Sequence, residues 1–171
     1  MSLILSGDTG ISSVEGTAAV PALIGNDADS GIFFTSGGAT AISANGTEQF
    51  RIGSTGNLLC NSGYGSAAVA YGCRAWVNFN GTGTPAIRGS GNVASITDNG
   101  TGDYTINFTT ALVDVNYSVV GTSAMRTGDG ALGLLCVSTL TAYTTSLFRI
   151  KTFNGAGGAE DFPTVNVAVF R

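Results

Sequence analysis

The side chains best suited to chemistry here are three cysteines, Cys60, Cys73 and Cys136, and eleven acidic residues. Neither set is spaced for catalysis. A nucleophilic Ser or Cys normally works beside a general base, and the chain contains no histidine. That excludes Ser-His-Asp and Cys-His chemistry and His-ligated zinc. The cysteines form no CxxC pair and read as buried or half-buried thiols acting as small hydrophobes. Glycan hydrolysis requires two carboxylates facing each other across a sugar-binding cleft. The carboxylates at Asp98, Asp103 and Asp129 instead sit in Gly- and Asn-rich stretches, where Asx-turn and strand-end chemistry accounts for them. Asn26-Asp27-Ala28-Asp29 offers oxygens to a cation but lacks the 12-residue loop and closing Glu of a calcium site, so it reads as a turn. Gly81-Thr82-Gly83-Thr84 and Gly155-Ala156-Gly157-Gly158 lack the Lys-Ser/Thr ending of a phosphate loop. The sequence therefore predicts a non-enzyme with no catalytic residue, no metal site and no cofactor.

Binding chemistry is more plausible than catalysis. Trp76 presents a ring on which a sugar can stack, but it lies in an alternating strand, where packing is the commoner use. Candidate receptor-contact residues fall in loops: Arg126 and Asp129 between Ser123 and Ala131, Tyr143 between Leu140 and Ser146, and Glu160 between Asn154 and Asp161. Glu48 and Arg51 lie three residues apart, placed to pair across a trimer axis in a structural role.

Composition narrows the partners. Charged residues make up 11% of the chain, less than half the roughly 25% of a typical soluble domain. A surface so poor in charge is covered by Thr, Ser and Asn, or is buried against other copies of the chain. The net charge is −4 and the arginines are scattered singly. No basic patch is available to neutralise phosphates, so neither nucleic acid nor an anionic membrane is expected. No apolar run approaches the roughly 20 residues that span a bilayer. Met1 to Gly7 has no basic start and too short an apolar run for a signal peptide, which points to assembly in a cytoplasm.

The elements that must hold these residues are strands. No stretch keeps a 3.6-residue apolar period, whereas alternation recurs throughout. Asn45-Gly46 between Thr40–Ser43 and Gln49–Ile52 signals a hairpin with a type I′ turn. Ala75, Val77 and Phe79 alternate, as do Tyr104, Ile106 and Phe108 after the reversal Asp98 to Gly102, and Val165, Val167 and Val169. Val115 to Val120 and Thr145 to Phe153 read as further strands. Leu132 to Val137 reads as a run buried on both faces or central in a sheet. Strands at intervals of roughly 8–15 residues indicate an antiparallel sandwich or barrel.

The soft stretch from Asn61 to Ala70 marks a boundary, giving regions 1–62 and 63–171. The first holds few large apolar residues in short pieces, and a segment that small rarely builds its own core. Copies of itself are the economical covering.

Both regions resemble proteins of tailed bacteriophages. From Pro21 to Asn57 the order is Pro21-Ala22-Leu23, then Asp27, Asp29, Gly31, Ile32 and Phe33, then Gly46, Thr47, Glu48, Phe50, Arg51 and Ile52. This resembles a segment widespread in phage tail fibres and related appendages. The run from Arg74 to Val120 resembles a module common at the C-termini of phage fibre proteins. The resemblance covers most of the chain. It implies an all-β homotrimeric fibre. Residues 1–62 would be a short intertwined β region for trimerisation or virion docking. Residues 63–171 would be a jelly-roll-like antiparallel β-sandwich that binds the receptor. It further implies a location on the virion, tail or capsid, with other virion proteins and a host surface glycan or protein as partners. Ile32, Phe33, Phe50 and Ile52 are the candidate trimer-interface residues. The alternative is a structural virion protein, either a capsid decoration or a tail adaptor. Unlike many such fibres, the chain is short and lacks a coiled-coil shaft.

Overall fold

The computed structural model describes residues 15–124, 133–138 and 143–171. Among these the protein is all-β, with fourteen strands and no helix. It forms two compact units that divide between Ala70 and Tyr71.

The first unit is a single antiparallel sheet in which six strands follow one another in chain order. They are β1 (Leu23–Ile24), β2 (Gly31–Phe34), β3 (Thr40–Ala44), β4 (Thr47–Ile52), β5 (Leu58–Cys60) and β6 (Ala68–Val69). The β3–β4 hairpin turns at Asn45-Gly46. Both residues adopt positive φ, 49° and 68°, as a type I′ turn requires. The turn is braced from the β1–β2 loop. The Gly46 N–H donates to the Asp29 carbonyl at 2.9 Å and the Asn45 N–H to Ser30 Oγ at 3.0 Å. Gly31 has no substitute at its position, because a Cβ there would collide with the Leu23 carbonyl across the β1–β2 pair.

The second unit is an antiparallel sandwich. Its strands are β7 (Cys73–Asn80), β8 (Ala86–Gly91), β9 (Val93–Gly100), β10 (Asp103–Phe108), β11 (Ser118–Ser123), β12 (Leu134–Val137), β13 (Leu147–Phe153) and β14 (Val165–Phe170). They form two four-stranded sheets, ordered β11-β14-β7-β8 and β12-β13-β10-β9. Asn92 alone links β8 in one sheet to β9 in the other, at a φ of 56°. Its side chain accepts from the Thr110 N–H at 2.8 Å and donates to the Thr110 and Arg74 carbonyls. Alternation aims Val77, Phe79, Val165 and Val169 of the first sheet at Tyr104, Ile106, Phe148 and Ile150 of the second, and all eight are at most 1% exposed. The Phe79 ring meets Tyr104 edge-on, with centroids 5.1 Å apart.

Three sequence expectations are corrected. Among the described residues Leu134–Val137 is an edge strand, paired only with β13, and Leu134 and Cys136 are exposed rather than buried. Cys60 and Cys73 are exposed as well, because each occupies an outward position near a strand end. The strand anticipated from Val115 begins at Ser118. Before it, Asp114 holds the Asn116 N–H in a turn at 2.8 Å, and the Tyr117 side chain is buried in the core.

Candidate functional site

The pairing register of the first unit sorts its side chains onto two faces. Leu23, Ile32, Ile42 and Phe50 stand opposite one another across β1 to β4, and the row continues through Cys60 and Ala68. A second row on the same face runs from Phe34 through Thr40 and Ile52 to Leu58. Neither row contains a charge. Their seven large apolar side chains are each between 36% and 52% exposed. Isolated exposed apolar residues are ordinary, whereas a contiguous patch rimmed by polar groups marks an interaction surface.

The opposite face is the covered one. Phe33, Ala41 and Ser43 are 4%, 0% and 3% exposed there. Arg51 and Glu48 form their ion pair on that side, next to Ala41 and Ser43 in the register. Ile32, Phe50 and Ile52 therefore share the open face. Phe33 differs from them in lying on the covered face, 4% exposed. Reasoning from sequence missed Ile42, Leu23, Phe34 and Leu58. The signal for Ile42 and its neighbours was present, because the Asn45-Gly46 turn fixes which β3 and β4 residues face each other. It is blurred by a bulge at Gln49, which shifts the register between Ile42 and Ser43.

The carboxylates are engaged in structure. Ser30 Oγ donates to Asp27 at 2.7 Å, closing the β1–β2 loop and holding the Asp27 carboxyl below its ordinary range. Asp29 is pushed the other way by its hydrogen bond to Asp27. Asp98 caps its own turn by accepting from the Gly100 N–H at 2.9 Å. Asp103 takes two bonds from Arg149, at 2.5 and 2.7 Å, and an ammonium contact from Lys151 at 3.2 Å. The Arg149 bond dominates and lowers the Asp103 pKa, against a smaller opposing effect of burial. Asp161 accepts from the Tyr104 hydroxyl at 2.6 Å and from the Gly102 N–H at 2.7 Å. Burial first, and then this carboxylate, raise the Tyr104 pKa far above that of a free phenol. Among the described residues no three His, Cys, Asp or Glu side chains gather as a metal site would require.

The candidate loop residues have varied fates. Arg126 and Asp129 lie outside the described residues. Tyr143 packs inward, its ring centroid 4.8 Å from that of Tyr117, and it also stacks on Phe148. Glu160 is tied into the loop after β13, where the Asn154 amide donates to its carboxylate at 3.0 Å and Thr152 Oγ1 to its carbonyl at 2.6 Å. Trp76 projects from the outer face of the sandwich and is 47% exposed.

No family model matches the chain, and no curated protein matches it. Among solved structures it is similar to the phiAB6 tailspike, crystallised in complex with three-repeated oligosaccharides of Acinetobacter baumannii surface polysaccharide. The identity is 11% and the TM-score 0.44. The match covers 92% of this chain but 38% of the tailspike chain.

Proposed function

We propose that the protein is a non-catalytic fibre component of a phage virion, assembled as a homotrimer and adhering to the bacterial surface. The observation that carries this reading is the open apolar face of the first unit. Covering it with identical faces from two further copies removes seven large side chains per chain from water. Each is already about half-buried, so covering it contributes up to about half of the roughly 1.5–3 kcal/mol of full burial. Because the two rows carry no charge, identical faces can meet without like-charge repulsion. The number three and the role in host attachment rest on the phage-fibre resemblance of Pro21 to Asn57 and Arg74 to Val120. Adhesion would draw on multivalency, with several weak contacts adding through one rigid assembly.

The non-catalytic part is supported by the carboxylates. Asp27, Glu48, Asp98, Asp103, Asp114 and Asp161 are each committed to a turn or an ion or hydrogen-bonded pair.

Light scattering on the purified full chain tests the assembly, with a mass near three chains expected. A stable monomer overturns it. The same open face then favours the second reading, a structural virion protein whose first unit docks on a different virion component. Incubation with host surface polysaccharide, followed by an assay for new reducing ends, tests the non-catalytic part. Release of reducing ends overturns it.

A further inference from the structure

The outer face of the β11-β14-β7-β8 sheet carries two adjacent rows of different chemistry. Trp76 stands opposite Ala168, and Ala168 opposite Val120. Two residues along, Asn78 stands opposite Asn166, and Asn166 opposite Thr122. The first row is apolar. The second is a chain of side-chain hydrogen bonds, in which Asn78 Nδ2 donates to Asn166 Oδ1 at 2.6 Å and Asn166 Nδ2 to Thr122 Oγ1 at 3.4 Å. A shallow groove of about 400 Å3 runs over these rows, and among the described residues no charged side chain lines it.

The indole is held by what is missing beneath it. A Cβ on Gly91 would lie 2.5 Å from Trp76 Nε1, and one on Gly89 would lie 3.4 Å from its Cη2. The ring therefore lies across β8 over two bare stretches of backbone. One face is packed, and the residue as a whole remains 47% exposed. Small Ala168 leaves a trough between the indole and Val120.

We propose that this face is a saccharide-binding platform, on which Trp76 stacks a neutral pyranose and the Asn78–Asn166–Thr122 row takes its hydroxyls. The assignment rests on the adhesion reading and names its ligand class. A pyranose has one face of C–H groups and a rim of hydroxyls, each both donor and acceptor. An aromatic plane beside amides and a hydroxyl matches both parts, since each amide offers donors and an acceptor. A purely apolar partner would bury the Asn row without satisfying it. A phosphate-rich or acidic partner would find no cation among the described residues that line the groove.

Trp76 is the single tryptophan of the chain, so intrinsic fluorescence reports this face. The full-length protein is titrated with maltotriose, mannotriose, galactobiose and chitotriose. A saturable emission shift with at least one of them is expected. Asn166→Ala and Gly91→Ala should each weaken binding at least about tenfold, with circular dichroism unchanged; a loss of about tenfold corresponds to 1.4 kcal/mol. Gly91→Ala separates the platform from mere Trp content, because it lifts the ring without removing it. No shift with any of the four sugars overturns the platform, as does binding that survives both variants. Emission already shielded from acrylamide in the free protein, together with a lower mass for Trp76→Ala, also overturns it and makes the face a contact between copies. Cell adhesion keeps the two readings apart. Equal adhesion of wild type and Asn166→Ala sinks the platform and leaves adhesion standing. Sugar binding lost in both variants, without adhesion to host cells, sinks adhesion and leaves the platform.

Discussion

The first unit and the second are built from the same material, antiparallel strands of alternating Thr, Asn and aliphatic residues, yet they place their large side chains oppositely. In the sandwich, Phe79, Tyr104, Phe148 and Ile150 are wholly buried between two sheets of the same chain. In the six-stranded sheet the side chains buried against the chain itself are mostly small, Ala39, Ala41 and Ser43 alongside Phe33, while Ile32, Ile42, Phe50 and Ile52 face outward. A sheet has two faces, and a chain that supplies one sheet can cover only what its own loops reach. The core of the second unit is thus supplied by one chain, and under the proposed assembly the first unit would draw further stability from what covers its open face.

The largest expected effect tests the internal half of this contrast. Phe79→Ala removes a fully buried ring that also meets Tyr104 edge-on, and should cost the second unit about 3–5 kcal/mol. Urea unfolding followed by Trp76 fluorescence reads this unit, since Trp76 sits on β7. Its midpoint should fall by the same amount at low and high protein concentration. A midpoint that rises with concentration would mean that the sandwich, too, is held by association.

Phe50→Lys addresses the other half. It removes the apolar cover that association gives the 37% of Phe50 left exposed, about a third of the roughly 1.5–3 kcal/mol of full burial, and sets like charges facing one another in the assembly. The light-scattering mass should drop to one chain while the Trp76 transition stays in place. Phe33→Lys gives the contrast on the covered face. It should unfold the first unit itself, seen as lost strand signal in circular dichroism, and not merely dissociate it.

Next in size is the ion pair of Asp103 with Arg149 and Lys151. The folded-state pKa of Asp103 lies below its unfolded value, chiefly through the Arg149 bond. The stabilisation is therefore complete above the unfolded carboxylate range, about pH 4, and is lost as pH falls through the folded pKa. Asp103→Asn should cost about 1.5–3 kcal/mol at neutral pH and flatten the acid limb of stability against pH. An unchanged acid limb would assign it to other carboxylates.

How much of this was legible in the sequence follows from what alternation encodes. It gives two faces for each strand, so Tyr104, Ile106 and Phe108, and Val165, Val167 and Val169, were readable as inward sets. Turn chemistry was readable too, because Asn-Gly and Asp-Asn-Gly specify backbone angles locally. Which face is covered is not a local property. Phe33 and Ile32 are neighbours of similar hydrophobicity, and only the register of β2 between β1 and β3 separates the buried side chain from the open one. Leu134 and Leu135 pose the same problem at a sheet edge, where an apolar run that looks central is, among the described residues, paired on one side only. Trp76 is the subtlest case. Its strand was legible, but the glycines that seat its ring, Gly89 and Gly91, are brought beneath it by the β7–β8 pairing.

The smallest effect lies in the turns, where the two units again differ. Gly46 sits at a φ of 68°, and the nearest atom to a Cβ built there is Asp29 Oδ2 at 3.6 Å. Space is available, so Gly46→Ala meets only the backbone cost of a left-handed conformation, about 1–2 kcal/mol. Asn92 adopts the same region in the second unit, but there the side chain itself bonds Thr110 and Arg74. Gly46→Ala should therefore weaken the hairpin without breaking it. Hydrogen exchange at the β3–β4 amides should speed up, the assembly should dissociate at somewhat higher protein concentration on dilution, and the Trp76 unfolding midpoint should not move. Faster exchange without easier dissociation would separate the hairpin from the open face. Ile42 and Phe50, which the turn holds opposite each other, would then be ordered by their covering partner and not by the turn.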